Sequence, residues 1–239
     1  MDEGDASVSR RHPAAGQVEG GGRHSTMASL LNPEKGLVFR ITHIENVPWI
    51  LDHGLHCRSS ALLDPRYVEI GNPDLIGARA DRLVPVPPGG TLSDYIPFYF
   101  TPLSPMLFNI KTGRTGVRRT PMPEIVFLVC SIPRMVEAGV PVVLTDRHAY
   151  LEAAEFSNGR EGLDRIDWKI LQERDFRRNG EDPGRIERYQ AEALVYRHLP
   201  VGALLGLACH DAKAEANVNP ELTRRGLSLK LAVRPEWYF

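Results

Sequence analysis

One acid stands out in this chain because of where it lies. In RYQAEALVY (Arg188 to Tyr196) the second half alternates, with Ala191, Ala193 and Val195 to one side and Glu192, Leu194 and Tyr196 to the other. That is the period of a strand, and apart from Glu192 its residues from Ala191 onward are apolar or aromatic. A carboxylate placed there costs several kcal/mol unless it is paired or put to use, roughly the penalty of a buried ion. Immediately upstream, RDFRRNGEDPGRIER (Arg174 to Arg188) is polar, punctuated by Gly and Pro, and dense in arginine. A cationic loop feeding a strand that carries one acid is an active-site pattern. The structural alternative is an acid paired with a neighbouring Arg at a sheet edge, and these residues alone leave the two level.

The other groups able to do chemistry are dispersed. They are His43 at the end of an apolar run, Arg79 in a long polar stretch, Tyr99 in an aromatic segment, and His148. FNIKTGRTGVRRT carries Lys111, Arg114, Arg118 and Arg119 with no acid among them, a local patch suited to a phosphate backbone or to an ordinary solvated hairpin. No GxxxxGK[ST], no GxGxxG after a strand, no HExxH and no GxSxG occurs, so phosphate-loop, Rossmann, zinc-protease and serine-hydrolase sites are unsupported. His53 and His56 have no Cys/His cluster around them, which argues against zinc. Spacing assembles none of these groups into a site.

Elements must position them. LVFRIT (Leu37 to Thr42) predicts a first strand, and ENVPWILDHGL a short helix capped by Gly54. Residues 57 to 94 predict a long irregular stretch, of the kind that within a compact domain is usually functional or partly mobile. Tyr95 to Phe100 predicts a strand followed by a rigid turn at the prolines and Ser104, and EIVFLVC (Glu124 to Cys130) a central strand. A short helix at 133–138 and a strand at Val142 to Thr145 follow. Asp146 is the expected N-cap of a helix with His148 in its first turn, where the positive helix end would keep the imidazole neutral. Leu163 to Phe176 reads as a further helix, and the chain closes with a helix to about Arg225 and a strand over Leu227 to Val233. Strands are not regularly interleaved with helices, so the expected class is α+β, with six or seven strands.

A chain of 239 residues, 42% hydrophobic, suits one sizeable domain, expected over 31–239 behind a disordered extension over 1–30. A net charge of -1 excludes a globally basic nucleic-acid binder and requires any such contact to be local. Three scattered cysteines, no CxxC and no signal peptide point to a reducing, cytoplasmic setting, and no apolar run is long enough to span a bilayer.

Taken together, FRITHIENVPWILDHGL, NPDLIGARA, YIPFYFTPLSPML, TDRHAY and RYQAEALVY resemble the DarT family of DNA ADP-ribosyltransferase toxins, over about Leu31 to Phe239. The resemblance implies a fold like that of the poly-ADP-ribose polymerases, with a central, mostly antiparallel split sheet and short flanking helices. It implies NAD consumed as co-substrate, no metal, and ADP-ribose attached to thymidine in single-stranded DNA. It further implies a toxin–antitoxin pair, with a macrodomain antitoxin as partner. Carried over by residue, Glu192 and Arg79 would be catalytic. His43, Asn46, Gly54, Arg79, Tyr99 and Met106 would hold NAD. Lys111, Arg114, Arg118, Arg119, His148, Arg177, Arg178, Arg185, Arg188 and Tyr189 would contact DNA. The usual HGT triplet of the polymerases is THI here, which leaves the hydrogen bonds of His43 open. The alternatives are a relative that modifies guanine, RNA or protein, and a non-catalytic nucleic-acid-binding module.

Overall fold

The computed structural model describes residues 27–239, so the expected extension lies mostly outside the described residues. The first described segment is a helical turn, α1 (Met27–Leu30), inside the stretch expected to be disordered. Leu31 behind it is fully buried, and its carbonyl accepts from Gln172.

The β-branched and aromatic runs form one eight-stranded sheet. Its members are β1 (Leu37–His43), β3 (Tyr95–Tyr99), β4 (Ile125–Ser131), β5 (Val142–Thr145), β6 (Phe156–Asn158), β7 (Glu192–Tyr196), β9 (Gly206–Cys209) and β10 (Lys230–Val233). Two further short strands, β2 (Leu55–His56) and β8 (His198–Leu199), pair beside it. The order is β10-β9-β4-β1-β3-β7-β5-β6, and only β10–β9 is parallel. The sheet is split in the middle. β1 meets β4 over its whole length but touches β3 through the single pair Phe39↔Tyr99. Pro97 explains this, because it has no N–H to offer and its carbonyl is taken by the Arg40 guanidinium at 2.9 Å.

The alternation read in β7 is realised. Ala191, Ala193 and Val195 join the main core, while Leu194 and Tyr196 pack in a smaller cluster with Val143 and Phe156. Pairing places Glu192 between Tyr99 on β3 and Thr145 on β5.

Several helices differ from expectation. The long stretch 57–94 contains α3 (Pro73–Arg79), capped by Asn72, whose side chain accepts from the Leu75 N–H. The expected turn is present, the Ser104 N–H donating to the Pro102 carbonyl at 2.9 Å, but it leads into a helix that Pro105 opens. Ser104 caps α4 (Pro105–Thr112), so the basic patch is a helix end and loop rather than a hairpin. No helix follows Asp146; its carboxylate instead accepts from the Glu155 N–H and closes a loop. The helix predicted over 163–176 is reduced to α6 (Trp168–Glu173) behind a 3-10 segment at Gly159–Arg165, because Asp167 caps a fresh start. The helices α2 (Val47–His53), α5 (Ile132–Glu137), α7 (Arg185–Arg188) and α8 (Ala212–Thr223) complete the set. No helix among the described residues is long and apolar enough to cross a membrane.

Candidate active site

Glu192 is fully buried at the start of β7. Arg79, the last residue of α3, grips its carboxylate with both terminal nitrogens, Nη1 to Oε1 at 3.0 Å and Nη2 to Oε2 at 2.7 Å. The backbone N–H of Ala149 donates to Oε1 at 2.9 Å, and the Glu192 N–H donates to Thr145 Oγ at 3.2 Å. His148 Nε2 lies 3.4 Å from Arg79 Nη1 and 3.9 Å from Glu192 Oε1. An acid, a bidentate arginine and an imidazole therefore form one buried cluster, built from α3, the loop after β5 and the start of β7.

The electrostatics follow from burial against pairing. Burial pushes the Glu192 carboxyl up, but Arg79, His148 and the Ala149 N–H outweigh it and hold it below the usual carboxylate range. Burial also drives His148 below its ordinary 6.5, against the pull of Glu192 and with help from Arg79. His148 is thus neutral, as expected, but for a different reason, since it sits in a loop rather than at a helix end. Burial and the neighbouring carboxylate raise the Tyr99 phenol, which remains protonated.

This cluster borders a cavity of about 580 Å³, within the range of small-molecule sites. Arg79, Tyr99, Met106 and His148 line it. The walls also carry Trp49, Tyr67 and Tyr95 for flat rings, and Arg40 and Arg58 for negative charge. Arg40 donates from Nη1 to the Pro97 carbonyl, and its Nε is buried without a hydrogen-bond partner. These residues fit a dinucleotide with two rings joined by a diphosphate. Among the described residues, no group of three or more His, Cys, Asp or Glu is arranged to hold a metal.

Other expected contacts are placed elsewhere. His43 shares the β1 face of the cavity-lining Ile41 but is not in the wall. Its Nε2 meets Glu124 at 3.3 Å and its Nδ1 accepts from the Glu45 N–H, capping a 3-10 turn. Asn46 is buried with its amide spent on Thr42 and on both backbone groups of Val68. Gly54 caps α2 at φ 79°, and a Cβ there would meet His198 Nε2 and the Leu199 carbonyl. These two are structural. Tyr189 is 1% exposed against Phe176, so it cannot stack on a base. Arg185 is bound to Glu173 and the Asp175 carbonyl, and Arg188 to Asp167 and Asp182. Acids at the two ends of α6, with Asp182 of the loop, tie these two guanidiniums back onto the fold. Arg177 shares the exposed carboxylate of Asp175. Lys111, Arg118, Arg119 and Arg178 have no acidic partner among the described residues, and Arg114 lies 5.3 Å over the Phe108 ring.

Residue reading missed Arg40, Gln190 and the Ala149 N–H. Gln190 lines the cavity and stands two residues before Glu192, a period-two signal present in the sequence. An arginine inside a β-branched run was the signal for Arg40. The Ala149 N–H had none.

The fold is that of an ADP-ribosyltransferase. The structure of Thermus sp. 2.9 DarT in complex with ADP-ribosylated ssDNA superimposes with a TM-score of 0.80 at 33% identity, covering 87% of this chain and 98% of that one. Thermus sp. 2.9 DarT in complex with NAD+ matches with a TM-score of 0.75 at 33% identity, covering 87% and 100%. A DNA ADP-ribosyl transferase from Escherichia coli O127:H6 (strain E2348/69 / EPEC) is 49% identical over 209 residues, 87% of this chain and 96% of its own length. The family model described as ssDNA thymidine ADP-ribosyltransferase, DarT, matches residues 39–239, and the chain belongs to that family. Its activity is the NAD-dependent transfer of ADP-ribose to thymidine in single-stranded DNA.

Proposed function

We propose that Glu192 and Arg79 are the catalytic pair of this transfer and that the cavity beside them is the NAD site. The observation that carries the reading is the Arg79–Glu192 bidentate pair, with Glu192 fully buried and Arg79 in the wall of a cavity of suitable size. In the reaction the bond between the nicotinamide nitrogen and the ribose breaks, its electron pair leaving with nicotinamide. A bond from thymine N3 to the same ribose carbon forms, and the N3 proton passes to the Arg79–Glu192–His148 cluster. Charge builds on the ribose as it does in glycoside cleavage. Glu192, ionised and preorganised by Arg79 and the Ala149 N–H, stabilises that charge and accepts from the ribose 2′-hydroxyl. Arg79 offsets the charge of the base as it loses its proton. Tyr99 and Met106 pack the nicotinamide side, and the guanidinium of Arg40 offsets the charge of the diphosphate from the cavity wall. Lys111, Arg114, Arg118, Arg119 and Arg178 guide the DNA backbone towards the cluster.

The setting proposed is the cytoplasm, where the chain acts as the toxin of a pair whose antitoxin is a macrodomain protein. The family resemblance and the three unpaired, buried cysteines support this. Incubation with labelled NAD and oligonucleotides of varied base content tests the chemistry. Label should move only to thymine-containing single strands, and Glu192→Ala should lose at least about 10²–10³-fold, the scale of one preorganised electrostatic contact. Equal transfer by the Glu192→Ala protein would remove the catalytic assignment.

A further inference from the structure

One buried hydroxyl fastens the loop after β5 to the strand that carries Glu192. Thr145, the last residue of β5, is fully buried, and its Oγ makes two hydrogen bonds of opposite sense. It accepts from the Glu192 N–H at 3.2 Å and donates to the Arg147 carbonyl at 2.6 Å. A hydroxyl carries one proton, so the two bonds fix each other: the proton points to Arg147 and a lone pair to Glu192. The peptide between Arg147 and His148 is then held at both ends, because the His148 N–H donates to the Glu187 carbonyl at 3.1 Å. The next N–H along the chain is that of Ala149, which meets Glu192 Oε1 at 2.9 Å. Residues 146–155 belong to no helix or strand, so regular structure does not supply this hold.

We infer that Thr145 is a positioning residue of the transfer. Its hydroxyl fixes the 147–148 peptide relative to the Glu192 backbone and so sets His148 and the Ala149 N–H against the carboxylate. The other groups facing Glu192 are Arg79 on α3 and Tyr99 on β3, and neither forms a hydrogen bond with Thr145. Thr145 is also absent from the cavity wall, so its effect falls on the reacting cluster and not on the affinity for NAD. The inference rests on the reading of Glu192 and Arg79 as the catalytic pair and deepens it by naming what holds the third side of that site.

The test measures kcat and KM for NAD, with a thymine-containing single strand as acceptor and at temperatures well below melting. Thr145→Val keeps the shape and loses both bonds. Its kcat should fall about ten- to a hundred-fold, the scale of a reacting group displaced by about 1 Å, while KM for NAD stays close to the wild-type value. Thr145→Ser keeps both bonds and should restore kcat. The acid limb of the kcat profile should move to higher pH in Thr145→Val, because Glu192 loses donors to its charged form. A loss of fold alone would reduce the amount of active protein without moving that limb. Should Thr145→Val fail to fold, Thr145→Cys puts a weaker donor and acceptor in the same place, and its kcat should lie clearly below that of Thr145→Ser. Wild-type kcat and an unmoved acid limb in Thr145→Val or Thr145→Cys would overturn the assignment. So would a Thr145→Ser protein as impaired as Thr145→Val, or a rise in KM for NAD with kcat unchanged. Full transfer by Glu192→Ala in the same assay would instead overturn the catalytic reading on which it rests.

Discussion

The Glu192 carboxylate is tolerated in a fully buried position because three donors meet it, and that dependence can be measured. Arg79→Ala leaves the charge buried with only one N–H and a neutral imidazole, which should cost about 3–5 kcal/mol, a fall of roughly 10 °C in Tm for a chain of this size. Glu192→Gln keeps the shape and should cost less stability while losing more activity. Melting of Arg79→Ala at the wild-type temperature would show that the pair does not hold the site. The same groups set an acid dependence. Glu192 is depressed in the folded state, so its stabilisation is present above the unfolded carboxyl value and is lost as pH falls through the lower folded one. His148 is also depressed, so the unfolded chain takes up its proton first, and stability begins to fall as pH drops through about 6.5. A His148→Asn variant should shrink that first step in a series of melting curves to what His56, also depressed by burial, contributes, and leave the lower one. Residue reading alone could not choose between salt bridge and active site for Glu192, and the structure shows why. The two readings describe one arrangement, since the arginine that pairs the acid also lines the cavity beside it.

At the scale of elements, what was legible followed from strong local periodicity. The strands β1, β3, β4, β5 and β7 have the bounds that alternation and β-branching indicate, to within a residue or two. Segments held by long-range polar contacts were not legible. The loop after β5 looked helical from its Ala and Leu content, yet Asp146 closes it onto Glu155 and the His148 N–H is drawn to the Glu187 carbonyl. That loop delivers both His148 and the Ala149 N–H. The helix α3 was hidden in a polar stretch because none of its residues is buried, although Asn72 followed by Pro is a helix-start signal. It serves the site by placing Leu75 and Ile76 in the cavity wall and by ending on Arg79. Asn72 caps α3 and also donates to the Thr115 carbonyl at 2.6 Å, tying the helix to the basic loop. Asn72→Ala should therefore cost about 1 kcal/mol locally and release the Arg79 end of α3. The expected result is a several-fold drop in transfer rate with a fall of about 2–4 °C in Tm, smaller than that of Arg79→Ala because the Arg79–Glu192 contact is loosened rather than deleted. Unaltered turnover in Asn72→Ala would mean that α3 is held in place from the Arg79 end alone.

For the whole molecule, a near-neutral chain must bind a polyanion with whichever cations it leaves unpaired. The sequence offers two basic stretches of similar density, and the structure separates them. Arg185 and Arg188 are bound within the fold by Glu173, Asp167 and Asp182, whereas Arg118 and Arg119 are exposed without acidic partners on the loop after α4. That separation depends on which acids fold back on which arginines, which the linear order of charges does not reveal. It has a measurable consequence in salt. Each phosphate neutralised on a single strand contributes about 0.7 to the slope of log affinity against log salt. If Arg118 and Arg119 each hold one phosphate, the double variant Arg118→Gln/Arg119→Gln should flatten that slope by about 1.4, with melting temperature unchanged. Arg188→Gln should do the reverse, leaving the slope near its wild-type value but freeing the carboxylates of Asp167 and Asp182 and lowering Tm. Titrations of a fluorescent oligonucleotide over a range of salt concentrations, paired with melting curves, distinguish the two. A flattened slope in Arg188→Gln with none in the double variant would move the DNA track from the α4 loop to the arginine-rich loop.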